Sequence, residues 1–335
     1  MVVDQVLVHN LENQRVLDDH LLFHGREEPI VLQLGGSDPS LLARATKVAY
    51  DYGYTEVNLN AGCPSCRVAG MGEFGAALMR KPDRIKECLE AMASAAPVKV
   101  SLKTRLGVDE LDSPEYFSSL IDRVMTAHLP NQTEFSLVVH ARKAWLNGLS
   151  PAQNRTVPPL NYERAFDVCG QKSRGLVWYL NGGINTVEAA ASLLAKSPRN
   201  MDGVMMGRAA MNNPCTLANA DVLLYGEKRN PASTESRKAL LEAYCELLNE
   251  RYPVSFDSVV TTGQAALSTK PILGVFHGLP GNRLWRCSLD QLCKDASLRR
   301  ELGISGIIQH AMQEMKPEVL NSAIVTQSGE YDLSS

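Results

Sequence analysis

Short apolar runs alternate with amphipathic segments along the chain from residue 30 to about residue 208. Each run is almost continuously apolar and rich in β-branched residues, which is typical of parallel strands buried on both faces. Six runs predict strands, and a possible seventh strand lies at Val2–Val8. The six runs are Ile30–Gly36, Glu56–Gly62, Val98–Arg105, Phe135–Arg142, Val177–Gly183 and Gly203–Arg208.

The segments between these runs carry helix signals. Asp38 is a predicted N-cap with Pro39 in the first helical position, and Gly53 is predicted to end this helix. Ser113-Pro114 starts a second helix in the same way. Repeated strand–helix units build either a doubly wound sheet or a (β/α)₈ barrel. The strand spacing and the polar residues at the strand ends favour a TIM-type barrel over residues 1–224, with its first strand missing before residue 1.

The C-terminal third has a different pattern. Residues 225–234 (YGEKRNPAST) are polar and rich in turn residues, which predicts a linker. Apolar residues then follow helical spacing only, at Leu240, Tyr244, Leu247 and Leu248. We therefore predict a helical domain over residues 235–316 and a tail over residues 317–335.

Composition and charge exclude several classes of protein. The chain has 335 residues, 44% of them hydrophobic, and 34 basic against 37 acidic residues give a net charge of −3. This charge excludes binding of nucleic acid through bulk charge but leaves room for a local basic patch. Eight irregularly spaced cysteines indicate a reducing compartment, and no apolar run is long enough to span a bilayer. We expect an intracellular, cytoplasmic protein without membrane contact, with an organelle left open.

Polar residues end six consecutive strands, which predicts a site at the carboxyl ends of the barrel strands. They are Gln33, Asn58, Asn60, Cys63, Lys103, Arg105, His140, Arg142, Asn181, Gly182, Gly183, Gly207 and Arg208. The glycine-rich turns at 181–183 and 207–208 are either a phosphate site built from backbone N–H groups or two tight turns.

Two residue types in this set carry specific chemistry. Lys103 ends an apolar strand, where it could form a Schiff base or place a cation beside an anionic ligand. Cys63 lies between Gly62 and Pro64, and a thiol that is protonated at neutral pH can act as a general acid. Cys66 forms a Cys-x-x-Cys pair with Cys63, but no second pair exists, so we predict no metal site and regard the pair as coincidental.

At these residues the chain resembles the tRNA-dihydrouridine synthase family, and in particular its bacterial A-type members, over residues 28 to 315. The matching segments are LQLGGSDP (32–39), EVNLNAGCPS (56–65), LKTRLGVD (102–109), VVHARKAWLNGLSP (138–151), NRTVPPLNYER (154–164), LNGGI (180–184), MDGVMMGRAAMNNP (201–214) and LGVFHGLPGNRLWR (273–286).

The resemblance implies reduction of uridines in the tRNA D-loop, with positions 20/20a expected, by FMN that NADPH reduces. It implies transfer of a hydride from FMN to C6 and of a proton from Cys63 to C5. It also implies FMN contacts for a set of strand-end residues: Gln33, Lys103, His140, Asn181, Gly182, Gly183, Gly207 and Arg208. Such a reaction requires the uridine to leave its stack.

The resemblance further implies tRNA contacts at Asn60, Ala152, Arg155, Arg283 and Arg286. Ala152 stands where related sequences often have lysine, which puts that contact in doubt. Residues 281–300 contain five Lys or Arg against two Asp, which is the expected local basic patch or else a solvated helix face. Family members begin with a strand and helix that support FMN, whereas Met1–Val3 aligns inside the second strand.

Two other functions remain open from the sequence. One is a different FMN barrel oxidoreductase, such as a dihydroorotate or dihydropyrimidine dehydrogenase, although the helical domain argues against it. The other is a truncated tRNA-binding protein without catalysis. We expect tRNA as the macromolecular partner, no obligatory protein partner, and a monomer.

Overall fold

The chain folds around a parallel sheet and a separate group of helices. A computed structural model describes residues 1–65, 74–172, 175–197, 201–228, 236–251 and 260–324. Its contacts divide the chain into a first unit, Met1–Gly183 with Leu193–Met205, and a second unit, Ile184–Ser192 with Met206–Ser335.

The sheet of the first unit contains seven strands, all parallel, and each strand pairs with the next one along the chain. Strands that follow one another in the sequence are therefore neighbours in the sheet. This order is expected when a crossover helix connects each strand to a parallel strand beside it. The strands are β1 (Val2–Val3), β2 (Leu32–Gly35), β3 (Glu56–Ala61), β4 (Lys99–Arg105), β5 (Phe135–His140), β6 (Leu176–Asn181) and β7 (Gly203–Met205). The predicted α/β fold with a helical C-terminal part is confirmed.

The N-terminal run differs from its prediction. The strand expected within Val2–Val8 extends over Val2–Val3 only, where it pairs with Leu34 and Gly35, and Asp4–Val8 forms a helix. The five residues of Asp4–Val8 are too few to show a periodicity that separates strand from helix. The helix buries Leu7 and Val8 in the core, and this burial favours helix over strand.

The helices that begin in the first unit cover the sheet. They are α1 (Asp4–Val8), α2 (Gln14–Leu21), α3 (Pro39–Asp51), α4 (Pro82–Ala95), α5 (Pro114–Met125) and α6 (Tyr162–Gly170). The two predicted caps are confirmed. The Asp38 carboxylate accepts hydrogen bonds from the backbone N–H groups of Ser40 and Leu41, and the Ser113 hydroxyl accepts one from Tyr116. After β6 the chain forms α7 (Val187–Lys196).

The second unit has its own hydrophobic core, centred on the fully buried Trp285 and Phe276, whose rings meet edge to face. Its helices are α8 (Arg208–Asn212), α9 (Ala220–Tyr225), α10 (Arg237–Arg251), α11 (Thr262–Thr269), α12 (Asn282–Lys294), α13 (Ala296–Gln313) and α14 (Pro317–Leu320). The helix predicted around residue 240 is present. Its buried hydrophobic residues are Leu241, Cys245 and Leu248, of which Leu248 was predicted, and Leu240 and Tyr244 are partly buried against the same core.

The predicted linker and tail lie partly outside the described residues. Residues 229–234 of the linker and residues 325–335 of the tail are not among them. Within the predicted tail, Pro317–Leu320 forms a helix and Val319 is buried, so this part packs against the core of the second unit. The division at residues 224/225 and 234/235 stays a prediction. Among the described residues, no helix combines the length and the apolar character that a membrane span requires.

Gly274 lies against the backbone of Asn212 and Asn213 in the second unit, which leaves no room for a side chain. A Cβ atom at Gly274 would lie 2.0 Å from the carbonyl oxygen of Asn212, which the backbone cannot avoid without moving. We expect Gly274→Ala to lower the free energy of unfolding by about 2–3 kcal/mol, because overpacking against backbone forces a shift. Denaturant-induced unfolding followed by circular dichroism measures this change.

Gly263 is the matched control. It lies in α11, and a Cβ there would have no neighbour closer than 3.9 Å. Because glycine is less favourable than alanine in a helix, we expect Gly263→Ala to be neutral or to stabilise by about 0.5 kcal/mol. Equal shifts of the two unfolding midpoints would contradict the prediction.

Candidate functional site

A continuous chain of side-chain amides crosses β2, β3 and β4. The strand register places Gln33 beside Asn58, and Asn58 beside Ser101. Gln33 Nε2 donates to Asn58 Oδ1 at 2.8 Å, and Asn58 Nδ2 donates to Ser101 Oγ at 3.0 Å. Asn60 Nδ2 donates to Gln33 Oε1 at 2.8 Å, which closes the chain at the carboxyl end of β3. Because each amide has both a donor and an acceptor partner, the orientations of Gln33 and Asn58 are determined.

The cysteine loop, residues 61–65, is held through its backbone. Asn60 Oδ1 accepts hydrogen bonds from the N–H groups of Gly62 at 3.1 Å and of Cys63 at 2.9 Å. The Cys63 carbonyl accepts one from the N–H of Ala76 at 2.9 Å. Cys63 is partly exposed and not part of a disulfide, and it follows the carboxyl end of β3. Cys66 lies outside the described residues.

Lys103 neighbours Asn60 in the register of β3 and β4. Its ammonium group donates to Asn181 Oδ1 at 3.0 Å, and Asn181 Nδ2 in turn donates to the carbonyl of Met205 at 2.7 Å. Burial, and to a smaller extent the charge of Arg105, lowers the pKa of Lys103 to about 8, against an opposing effect of Cys63. None of the salt bridges found among the described residues involves Lys103. A buried cation with a neutral hydrogen-bond partner favours an anionic ligand.

Arg105 lies two residues beyond Lys103, so both side chains emerge on the same face of β4. Its Nε donates to the carbonyl of Gly62, and its Nη1 donates to the carbonyls of Lys143 and Asn154, each at 2.9 Å. The guanidinium therefore joins the cysteine loop to the segment that follows β5.

His140, at the end of β5, lies beside Arg105 and Asn181 in the strand register. The next strand, β6, is followed by Gly182 and Gly183, whose φ angles are +113° and +72°. A Cβ at Gly182 would lie 2.6 Å from the His140 ring, and one at Gly183 would lie 2.5 Å from Leu160. Both positions thus require glycine for conformation and for space, which explains the NGG sequence without reference to a ligand.

The second glycine turn has a different character. Gly207 has a φ of −117° and precedes α8, and no atom lies within 4 Å of a Cβ built there. Gly207 and Arg208 are exposed and belong to the second unit. The tight-turn interpretation therefore applies to Gly182 and Gly183 but not to Gly207.

The predicted tRNA contacts lie in different environments. Asn60 is buried and its amide takes part in the network described above. Ala152 and Arg155 are exposed at the two ends of a single 3₁₀ turn, Gln153–Arg155, in the first unit. In the second unit, Arg283 and Arg286 on α12 line a cavity of about 500 Å³. The cavity is also lined by Ala266, Thr269, Leu273, Asn282, Cys287, Asp290 and Cys293.

Two buried residues, Arg105 and Asn154, received no specific role from the sequence, although Arg105 was among the predicted strand-end residues. Arg105 was visible as a charged residue in an apolar strand, which requires a partner, but its partners are 38 to 49 residues away in the chain. Asn154 carried no comparable signal, because an asparagine in a polar loop is ordinary. Among the described residues, no three His, Cys, Asp or Glu side chains form a metal-binding group.

Comparison with known proteins gives a consistent result. The model of the family described as dihydrouridine synthase (Dus) matches residues 1–311. Three similar proteins carry the name tRNA-dihydrouridine(20/20a) synthase. That of Shewanella oneidensis is 42% identical over 82% of this chain and 75% of its own length. That of Xanthomonas campestris pv. campestris is 41% identical over 87% of this chain and 78% of its own length. That of Yersinia pestis is 41% identical over 82% of this chain and 73% of its own length. The chain belongs to the dihydrouridine synthase family.

Proposed function

We propose that the protein reduces uridine to 5,6-dihydrouridine in the D-loop of tRNA, at positions 20/20a, with bound FMN and with NADPH as the reductant. The names of the similar proteins support the substrate and the positions. The observation that carries the chemistry is a partly exposed thiol, Cys63, held by its backbone next to a buried lysine with a neutral partner.

The residues at the strand ends fit FMN. A flavin needs a cation near its pyrimidine edge, where negative charge collects on reduction, and hydrogen-bonding groups around it. Lys103 supplies a buried positive charge, and its pKa near 8 keeps it mostly protonated at neutral pH. His140 and Asn181 supply polar groups at the ends of the neighbouring strands β5 and β6, and Gln33 supplies one on β2.

We propose that FMN would be held by Gln33, Lys103, His140, Asn181, Gly182 and Gly183 of the first unit and by Gly207 and Arg208 of the second. When bound, FMN would supply the hydride for C6 of the uracil. Cys63 donates a proton to C5, so the uracil gains one hydride and one proton, and its C5–C6 double bond becomes single. Asn60 orients Cys63 for this step through its two backbone hydrogen bonds.

The tRNA is proposed to bind through Arg155 in the first unit and through Arg283 and Arg286 in the second. The two α12 arginines are exposed and line one cavity, an arrangement suited to the phosphate backbone. Asn60 is proposed to face the uracil with the remaining hydrogen-bonding capacity of its amide. Ala152 is exposed at the start of the 3₁₀ turn that ends in Arg155, but it brings no charge.

The experiment that tests the function uses the full chain. The purified protein should show a flavin absorption spectrum and, with NADPH, should form dihydrouridine in an unmodified tRNA transcript, detected by mass spectrometry of nuclease fragments. Dihydrouridine at another position would contradict the 20/20a assignment. Binding of tRNA by a flavin-loaded protein without any turnover would instead favour the non-catalytic alternative.

Substitution of the thiol separates the two halves of the reaction. We expect Cys63→Ala to lower dihydrouridine formation by at least about 100-fold, in the usual range for loss of a general acid. Reduction of the bound flavin by NADPH should remain within about twofold of wild type, because the thiol acts only at C5. Stopped-flow absorbance and tRNA mass spectrometry measure the two halves.

Cys169→Ala is the control, because Cys169 is buried in α6 and its thiol has no part in the proposed step. This variant should leave both half-reactions unchanged. Equal loss of flavin reduction and dihydrouridine formation in Cys63→Ala would rule out the proposed role of the thiol.

The affinity for FMN should depend on pH through Lys103. In the free protein this lysine loses its charge as the pH rises through about 8, whereas a bound anion favours the charged form. We therefore expect the affinity to fall as the pH rises from 7 to 9.5, approaching a limit of about tenfold per pH unit above the free pKa. Fluorescence titration of the apoprotein with FMN measures it.

Lys103→Met supplies the comparison. We expect it to bind FMN about tenfold or more weakly at pH 7, since a charge-assisted contact is lost, and to bind with little pH dependence. A wild-type affinity that is constant over this pH range, or a variant with the same slope as wild type, would contradict the assignment.

The salt dependence of tRNA binding tests the α12 surface. We expect Arg286→Ala to weaken binding about equally for all tRNA sequences and to reduce the slope of log K against log [salt] by about one. Filter binding at several salt concentrations measures the slope. Arg44→Ala, which removes an exposed arginine from α3, should leave the slope unchanged. Identical slopes for wild type and Arg286→Ala would remove Arg286 from the interface.

A further inference from the structure

Arg105 is a buried cation whose side-chain hydrogen bonds to the described residues all end on backbone carbonyls. It is only 2% exposed, and it lies at the end of β4 between two loops. Burial lowers the pKa of its guanidinium to about 10, which still leaves it charged at neutral pH. A buried guanidinium is tolerated when carbonyl oxygens satisfy its N–H groups, and three such oxygens lie at 2.9 Å. Arg105 therefore stabilises the two backbone segments that carry these carbonyl groups.

One partner belongs to the cysteine loop. Arg105 Nε donates to the carbonyl of Gly62, the residue directly before Cys63. On the other side of the same peptide bond, the N–H of Cys63 donates to Asn60 Oδ1. The peptide group between Gly62 and Cys63 thus accepts a hydrogen bond from β4 through its oxygen and donates one to β3 through its N–H.

The other partners belong to the segment after β5. Arg105 Nη1 donates to the carbonyl of Asn154, a residue with no exposed surface. The Asn154 side chain accepts from the N–H of Trp145 at 2.8 Å and donates to its carbonyl at 2.8 Å. These bonds close the loop from residue 145 to residue 154. Arg155, the proposed tRNA contact of the first unit, follows directly.

We propose that Arg105 is a positioning residue that holds the Cys63 loop in a fixed relation to the loop carrying Arg155. A tRNA bound through Arg155 then meets the thiol at the correct place for proton donation to C5. The expected effect on dihydrouridine formation rests on the proposed function. The expected effect on hydrogen exchange of the two loops does not. It requires the planar fork of arginine, since a lysine at this position keeps the charge but cannot reach both loops with directed N–H groups.

The test compares Arg105→Lys with a matched variant, Arg237→Lys. Arg237 is likewise a buried arginine, in the second unit, and donates to the carbonyls of Val275 and Ala323. Both variants lose backbone-directed guanidinium bonds, so the general loss of stability is comparable. Only the first should affect the two loops. Single-turnover dihydrouridine formation is measured on pre-reduced, flavin-loaded enzyme at saturating tRNA, next to flavin reduction and hydrogen exchange of peptides 60–65 and 143–155.

We expect Arg105→Lys to lower the single-turnover rate by about tenfold or more, since small misplacements of reacting groups have large effects. Flavin reduction should remain within about twofold of wild type, and hydrogen exchange should accelerate in both peptides together. Arg237→Lys should retain the wild-type single-turnover rate and exchange in these peptides. A wild-type rate in Arg105→Lys, or faster exchange in one peptide only, would overturn the proposal.

Two further measurements keep the outcomes distinct. In the wild-type protein, the amides of Cys63 and Trp145 should be protected from exchange, and unprotected amides would overturn the proposal without any variant. If the wild-type protein forms no dihydrouridine at all, the proposed function fails. The joint change in exchange of the two peptides then still decides whether Arg105 couples the loops.

Discussion

Polar side chains buried at the ends of parallel strands must satisfy one another, and the arrangement of this site depends on that constraint. In β3 and β4 the register aligns Asn58 with Ser101 and Asn60 with Lys103, so groups two residues apart lie on one face. Leaving any of these groups without a partner would cost about 1–3 kcal/mol. The amide chain from Gln33 to Ser101 avoids this cost and leaves Asn60 Oδ1 directed at the backbone of the cysteine loop. The position of the thiol is thus a consequence of sheet register.

Lys103 is the group that this network does not neutralise. A pKa of about 8 corresponds to roughly 3 kcal/mol against the charged form, relative to a lysine in water. Arg105 on the same face adds positive charge, and the described hydrogen bonds of both residues end on neutral oxygens. The strand ends are therefore electropositive in the free protein. A bound anion would offset the free-energy cost of burying this cation. The folded protein is therefore more stable with the anion bound than without it.

The sequence allowed prediction of the elements, but not of the contacts between distant segments. Continuous apolar runs identified the strands from β2 to β7, and Asp38-Pro39 and Ser113-Pro114 located two helix starts, because both signals are local. The Val2–Val8 prediction was wrong beyond Val3, since a short apolar run without periodicity fits either element. The roles of Arg105 and Asn154 could not be predicted, because each depends on carbonyls brought together only by the fold.

The restraints on the cysteine loop separate the reacting group from its placement. The hydrogen bonds described for the cysteine loop at residue 63 act through its N–H, its carbonyl oxygen and the carbonyl of Gly62, and none of them uses the thiol. A change of the side chain at this position therefore removes the thiol and retains these backbone hydrogen bonds. A change at Asn60 or Arg105 does the reverse, because it releases the loop and retains the thiol. Hydrogen bonds to backbone make this separation possible, since they are independent of which side chain the peptide carries.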